Sequence, residues 1–194
     1  MPSHGALHWQ PRKAPRAGDT PRSLHAWLNE PGSLTGRMRR ACGEAFNVEV
    51  LRQSWGGVWR DEARRLDLRR GRVAWVREVL LCNGAEPWIY ARTIMPERVL
   101  RGHFRRLRHL GRQPLGRILF GRHPVSRGAI EVADLREGDG LYTRAAELVA
   151  VPSLLWARRS IFRVGGLSML VTEVFLPHLV RGEAGRGVGA FGED

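Results

Sequence analysis

Two charged residues stand in rows where charge is costly. In SMLVTEVFLP (168–177) a two-residue alternation puts Leu167, Met169, Val171, Glu173 and Phe175 on one strand face. In AWVREVLLC (74–82) the same alternation aligns Trp75, Arg77, Val79 and Leu81. A buried charge costs several kcal/mol unless it is paired, hydrogen-bonded or neutralised. Arg77 and Glu173 therefore have two readings. They neutralise each other as a buried ion pair, or they stand at two ends of one cavity. In a cavity, an arginine fork grips a ligand carboxylate with two parallel hydrogen bonds, and a desolvated glutamate serves as general acid or base.

The elements that position these two residues can be read from pattern and punctuation. FNVEVLRQSW (46–55), AWVREVLLC (74–82), PWIYARTIMP (87–96), VSRGAIEVADL (125–135), LLWARRSIFRV (154–164) and LSMLVTEVFLP (167–177) have strand character. Asn83-Gly84 and Gly165-Gly166 predict tight hairpin turns. Helices are predicted over 23–28 with Ser23 as cap, and after Pro31-Gly32 with Ser33 or Thr35 as cap and Gly43 as stop. A short helix is also possible within the polar connection 56–72, and a helix-turn-helix excursion is predicted over 96–111 and 114–121. A polar loop through Gly138 and Gly140 follows 125–135. The order predicts an α+β fold: one antiparallel sheet of about six strands with helices on one side. Residues 1–22 read as a basic, Pro-rich, disordered tail and 178–194 as a Gly-rich tail that frays, leaving one domain over 23–177.

Composition narrows the class. The chain has 194 residues, is 43% hydrophobic with seven Trp, and carries a net charge of +13. That is enough apolar material for a real core. No run reaches the roughly 18–20 apolar residues of a membrane span, and no apolar signal segment opens the chain. Cys42 and Cys82 form no metal-spaced cluster, and Cys82, closing an apolar strand, reads as a small buried hydrophobe. This usage fits a reducing cytoplasm. Lys13 is the one lysine among 32 basic residues, and RRLDLRRGR (64–72) and RGHFRRLRHLGR (101–112) concentrate arginine. The field they create favours an anionic partner, and the plainest reading of each run is a solvated face. The Gly-rich GEAGRGVGAFG (182–192) lacks both the GK[ST] of a phosphate loop and a strand-to-helix setting.

Three stretches, WVREVLLCNGAEPWIYARTIMP, LGRQPLGRILF and LWARRSIFRVGGLSMLVTEVFLP, together resemble the chorismate pyruvate-lyase family in order and spacing over about residues 23–177. The resemblance implies removal of pyruvate from chorismate to leave 4-hydroxybenzoate, the opening step of ubiquinone biosynthesis, without metal or organic cofactor. It implies a monomer with a buried site under two helix-turn-helix flaps. Position by position, it puts the ring carboxylate on Arg77, assisted by the backbone N–H groups of Leu115 and Leu34, and the ring hydroxyl on Glu173. Arg77 and Glu173 are thus the expected catalytic residues. The family often has methionine where this chain has Leu34, a change that a main-chain donor tolerates. Chorismate carries two carboxylates, which suits a strongly cationic protein.

Two other functions compete. A non-catalytic sensor of small aromatic acids could keep the same fold and pocket, as in the effector domains of some bacterial transcription regulators, but a 22-residue leader is too short for their DNA-binding domain. A nucleic-acid binder would explain the charge, but the chain lacks RNP-type aromatic interleaving, zinc spacing and basic-region heptads. Sequence-specific nucleic-acid binding and membrane insertion are not expected.

Overall fold

The computed structural model describes residues 7–11, 20–69, 71–119, 125–164 and 166–188. Eight strands form one antiparallel sheet: β1 (Gln10–Pro11), β2 (Phe46–Gly57), β3 (Val73–Asn83), β4 (Glu86–Met95), β5 (Val125–Arg127), β6 (Glu131–Leu135), β7 (Leu155–Val164) and β8 (Leu167–Phe175). The order is β1-β6-β7-β8-β4-β3-β2, with β5 also paired to β7. Among the described residues six α-helices accompany it: α1 (Arg22–Leu28), α2 (Leu34–Cys42), α3 (Arg60–Arg65), α4 (Gly116–Leu119), α5 (Gly140–Ala146) and α6 (Pro177–Val188). The expected excursion after β4 is built of 3-10 turns over Glu97–Leu100 and Gly102–His109, followed by α4.

Local chemistry explains most boundaries. The Gly36 N–H donates to the Ser33 side chain at the start of α2, and Gly43 with φ 56° stops the helix. Gly84, with φ 58°, turns the β3–β4 hairpin after Asn83. Alternating apolar residues then bury one sheet face beneath α1, α2 and α6. There Trp27 meets Trp88 edge-on at 6.2 Å, and Leu24, Met38, Ile89, Phe175 and Leu179 fill the space. Each such side chain contributes about 1.5–3 kcal/mol on burial.

Several expectations need correction. Two short helices, α3 and α5, pack on the opposite sheet face, where Leu141 and Ala145 meet Tyr90 and Val174, so the helices are not confined to one side. The 125–135 stretch is two strands, because the chain leaves the sheet at 128–130. The loop through Gly140 is helix α5. Pro21, not Ser23, caps α1, and no side chain caps it. The 1–22 tail is not wholly apart from the fold: Gln10 and Pro11 pair with Val132 and Glu131. The chain beyond 177 continues as α6 to Val188, with Leu179 buried, because Pro177 suits a first helical turn. Gly165, half of the expected Gly-Gly turn, lies outside the described residues, as do 120–124 and 189–194.

Candidate active site

The face under α1 and α2 contains a cavity bounded by β3, β4, β7, β8 and the starts of α2 and α4. Its lining includes all four residues singled out from sequence: Leu34, Arg77, Leu115 and Glu173. About 550 Å³ of non-atom space lies there, part of it open to solvent. Val79, Leu81, Ala91, Leu119, Phe162 and Val171 make its apolar walls, and Arg127 and Arg158 join Arg77 as cations.

Arg77 is 2% exposed. Its guanidinium donates to the Gln53 side chain, to the Gly111 carbonyl at 2.9 Å and to the Gln113 carbonyl at 3.0 Å. All three acceptors are neutral, and among the described residues Arg77 has no carboxylate partner. Burial lowers it to about 10, so it stays cationic at neutral pH. Gln53 reaches Arg77 because of a bulge between Val50 and Arg52. The extra residue shifts the alternation, so Gln53 shares the face of Val48 and Val50.

Glu173 does not pair with Arg77. Register explains why: Arg77 lies opposite Thr93 and Thr93 opposite Val171, whereas Glu173 lies opposite Ala91 and Ala91 opposite Val79. The two residues are therefore two strands and two positions apart, roughly 12 Å between Cα atoms. The partner of Glu173 is its cross-strand neighbour Arg158, whose Nε donates to Oε2 at 2.7 Å. Arg158 is 1% exposed and also donates to the carbonyls of Trp27 and Glu30. It thus ties the carboxylate to the turn before α2. Arg127 performs a similar tie from β5, donating to the Pro31 and Gly32 carbonyls and to Ser160.

The starts of α2 and α4 meet over the cavity. The N–H groups of Leu34, first in α2, and of Leu115, just before α4, make no backbone hydrogen bond among the described residues, as expected of donors at helix starts. Gly116 makes the close approach possible, since a Cβ there would collide with the Ser33 hydroxyl and crowd Thr35. Two amide donors and the Arg77 guanidinium thus line one cavity.

Sequence reasoning missed Arg127, Arg158 and Thr93 in this lining. Arg158 carried a signal. In WARRSIF two arginines are adjacent in a buried strand, so one must face each side of the sheet.

On the opposite face the buried charges are balanced. Arg92 lies 2.7 Å from both Glu62 and Glu78, and Arg144 reaches Glu78 at 3.5 Å. Arg159 lies 2.7 Å from Glu131 and 3.3 Å from Asp61, and Arg65 joins Glu131 at 3.0 Å. Trp59 covers Arg92 and Trp9 covers Arg159. Arg77 and Glu173 are therefore not the only charges embedded in the sheet. On the cavity face Arg158 is paired with Glu173, whereas Arg77 has no carboxylate partner among the described residues.

The family model described as chorismate lyase matches residues 6–183. Proteins described as probable chorismate pyruvate-lyases are similar over most of the chain. That of Aromatoleum aromaticum is 42% identical over 171 residues, covering 87% of this chain and 92% of the relative. That of Halorhodospira halophila is 44% identical over 181 residues, covering 92% and 94%. Among solved structures, the C-terminal domain of the histidine utilization repressor from Pseudomonas syringae pv. tomato superposes with a TM-score of 0.53 at 11% identity, covering 69% of this chain and 92% of that one. The effector domain of PhnF from Mycobacterium smegmatis superposes with a TM-score of 0.51 at 14% identity, covering 76% and 90%. At such identities the two structures speak for the fold alone.

Proposed function

The chain belongs to the chorismate lyase family, and from that premise we propose that it eliminates pyruvate from chorismate and releases 4-hydroxybenzoate, with Arg77, Leu34, Leu115 and Glu173 as the working residues. The observation that carries this reading is Arg77: a buried cation held by neutral oxygens in a cavity with spare amide donors. Such a cation is best completed by a carboxylate.

In this reading the ring carboxylate lies against Arg77 and the Leu34 and Leu115 amides. The ring spans the apolar walls, and its hydroxyl-bearing carbon meets Glu173. Arg77, with no carboxylate partner among the described residues, suits one carboxylate of a substrate that has two. The reaction breaks the C–O bond to the enolpyruvyl group. The hydrogen on the neighbouring ring carbon leaves as a proton, and its electron pair completes the aromatic ring. The departing enolate takes a proton at its methylene carbon to become pyruvate. Aromatisation supplies the driving force, so the protein mainly orients the diene and handles protons. Arg158 Nε donates to Glu173 Oε2 at 2.7 Å and so fixes the orientation of the carboxyl group toward the ring. Glu173 then serves to handle a proton or to anchor the hydroxyl. Arg158 is a positioning residue, since it acts through Glu173.

We place the activity in the cytoplasm, in a monomer, at the entry to ubiquinone synthesis. Incubating the purified protein with chorismate tests the reaction. Pyruvate and 4-hydroxybenzoate should appear in equal amounts. Binding of 4-hydroxybenzoate without turnover of chorismate would assign the cavity to a sensor instead.

A further inference from the structure

One end of the sheet carries a feature that the lyase chemistry does not use. There β2 ends, β3 begins and β4 ends, and the two arginine-rich runs of the sequence meet. Arg101, and Arg72 beside it, hold the Glu97 carboxyl below its ordinary range, so the 64–72 connection adjoins the turns after β4. Between residues 97 and 117 seven arginines accompany a single acid, Glu97. Arg69, Arg72, Arg101, Arg105 and Arg112 are exposed. The same end displays Trp55, 40% exposed, and Val73, 62% exposed, the exposed large hydrophobics among the described residues. They share a face, because Trp55 lies opposite Trp75 and Val73 is two residues before it on β3. Arg108 stacks over both tryptophans, 5.8 and 5.1 Å from their centroids.

We propose that this end is a docking surface for an anionic phospholipid bilayer. Exposed arginines supply attraction to lipid phosphates, while a tryptophan and an aliphatic side chain among them suit the headgroup boundary. A nucleic-acid groove would use the arginines and could stack on Trp55, but would have no use for the bare Val73. The docked end is also the far side of the cavity wall, since the Arg108, Gly111 and Gln113 carbonyls bind Gln53 and Arg77. The surface does not rest on the lyase reading.

Vesicle co-sedimentation near physiological salt tests it, with lyase activity followed on every variant. The protein should partition onto phosphatidylcholine vesicles containing phosphatidylglycerol, and not onto phosphatidylcholine alone. Arg105→Gln with Arg112→Gln should weaken partition by roughly 25-fold, at about fivefold per arginine. Val73→Asn should weaken it severalfold, without changing charge. The control pair Arg39→Gln with Arg136→Gln removes equal charge from elsewhere and should leave partition unchanged. Loss of partition in the control pair equal to that in Arg105→Gln/Arg112→Gln would reduce the effect to net charge and overturn the proposal. So would failure to bind anionic vesicles. Displacement by duplex DNA together with indifference to Val73→Asn would assign the patch to nucleic acid.

Discussion

On one face of the sheet Arg92 sits 2.7 Å from two carboxylates, while on the other Arg77, equally buried, reaches among the described residues only the side-chain and backbone oxygens of neutral residues. Between them runs the same β3–β4 pairing. Glu78 points one way and Arg77 the other. The balanced face has four arginines against Asp61, Glu62, Glu78 and Glu131, roofed by tryptophans. Such a network has little left for a ligand and much to lose if one member goes. On the cavity face Arg158 is paired with Glu173, while Arg77 has no carboxylate among the described residues and the amides of two helix starts lie nearby. Arg77 there can still take an anion. Counter-charge, more than burial, therefore distinguishes a structural arginine from a binding one.

The contrast can be broken at its most catalytic point first. Glu173→Gln keeps the side-chain shape and an acceptor for Arg158, and removes the carboxylate. Turnover should fall by about 10²–10⁴, while 4-hydroxybenzoate binding stays largely intact. Steady-state rates beside calorimetry check this. Full activity in Glu173→Gln would remove the carboxylate from the chemistry.

The balanced face should respond in the opposite currency. Arg92→Met leaves Glu62 and Glu78 buried without their shared cation and should cost about 3–5 kcal/mol of stability. Turnover per folded molecule should change little. Denaturant midpoints measured alongside active-site titration separate the two effects.

A smaller effect appears with pH. Burial works to raise the Glu131 carboxyl, but hydrogen bonds from Arg159 and Arg65 outweigh it and the net shift is downward. A carboxyl lowered in the folded state stabilises the fold above its unfolded titration range, and that stabilisation is lost as pH falls through the folded one. Glu131→Gln should therefore flatten the acid side of the stability curve below the ordinary carboxylate range. An unchanged acid slope would show that the Arg159 pairing contributes nothing measurable.

How much of this was legible in the sequence depended on isolation and parity. Arg77 and Glu173 stood out because each was a lone charge in an apolar row, and both lie in the cavity. The reading that paired them with each other failed, because alternation gives the face of a residue and says nothing of register. Arg158 was masked by Arg159 beside it. Gln53 was hidden by the bulge that shifts the alternation in β2. Alternation sends Glu78 and Arg92 to the face opposite Arg77, but the sequence cannot say that α3 and α5 bury that face as well. Leu34 and Leu115 came from family resemblance. No side-chain pattern could find them, because the groups that matter there are main-chain amides. The two-residue β1 is too short to leave a pattern. Helix α6 was obscured by the glycines that follow Arg181.

The central claim, that Arg77 is kept without a carboxylate so that a ligand can supply one, is tested most directly by Arg77→Met. Binding of 4-hydroxybenzoate by calorimetry and a denaturant midpoint should be measured on one preparation. One charge-assisted bidentate contact is worth roughly 1.5–3 kcal/mol, so affinity should fall about ten- to hundredfold. Stability should stay within about 1 kcal/mol, because losing hydrogen bonds to three neutral acceptors is offset by removing a desolvated cation. A collapsed midpoint with unchanged affinity would contradict the account and make Arg77 as structural as Arg92.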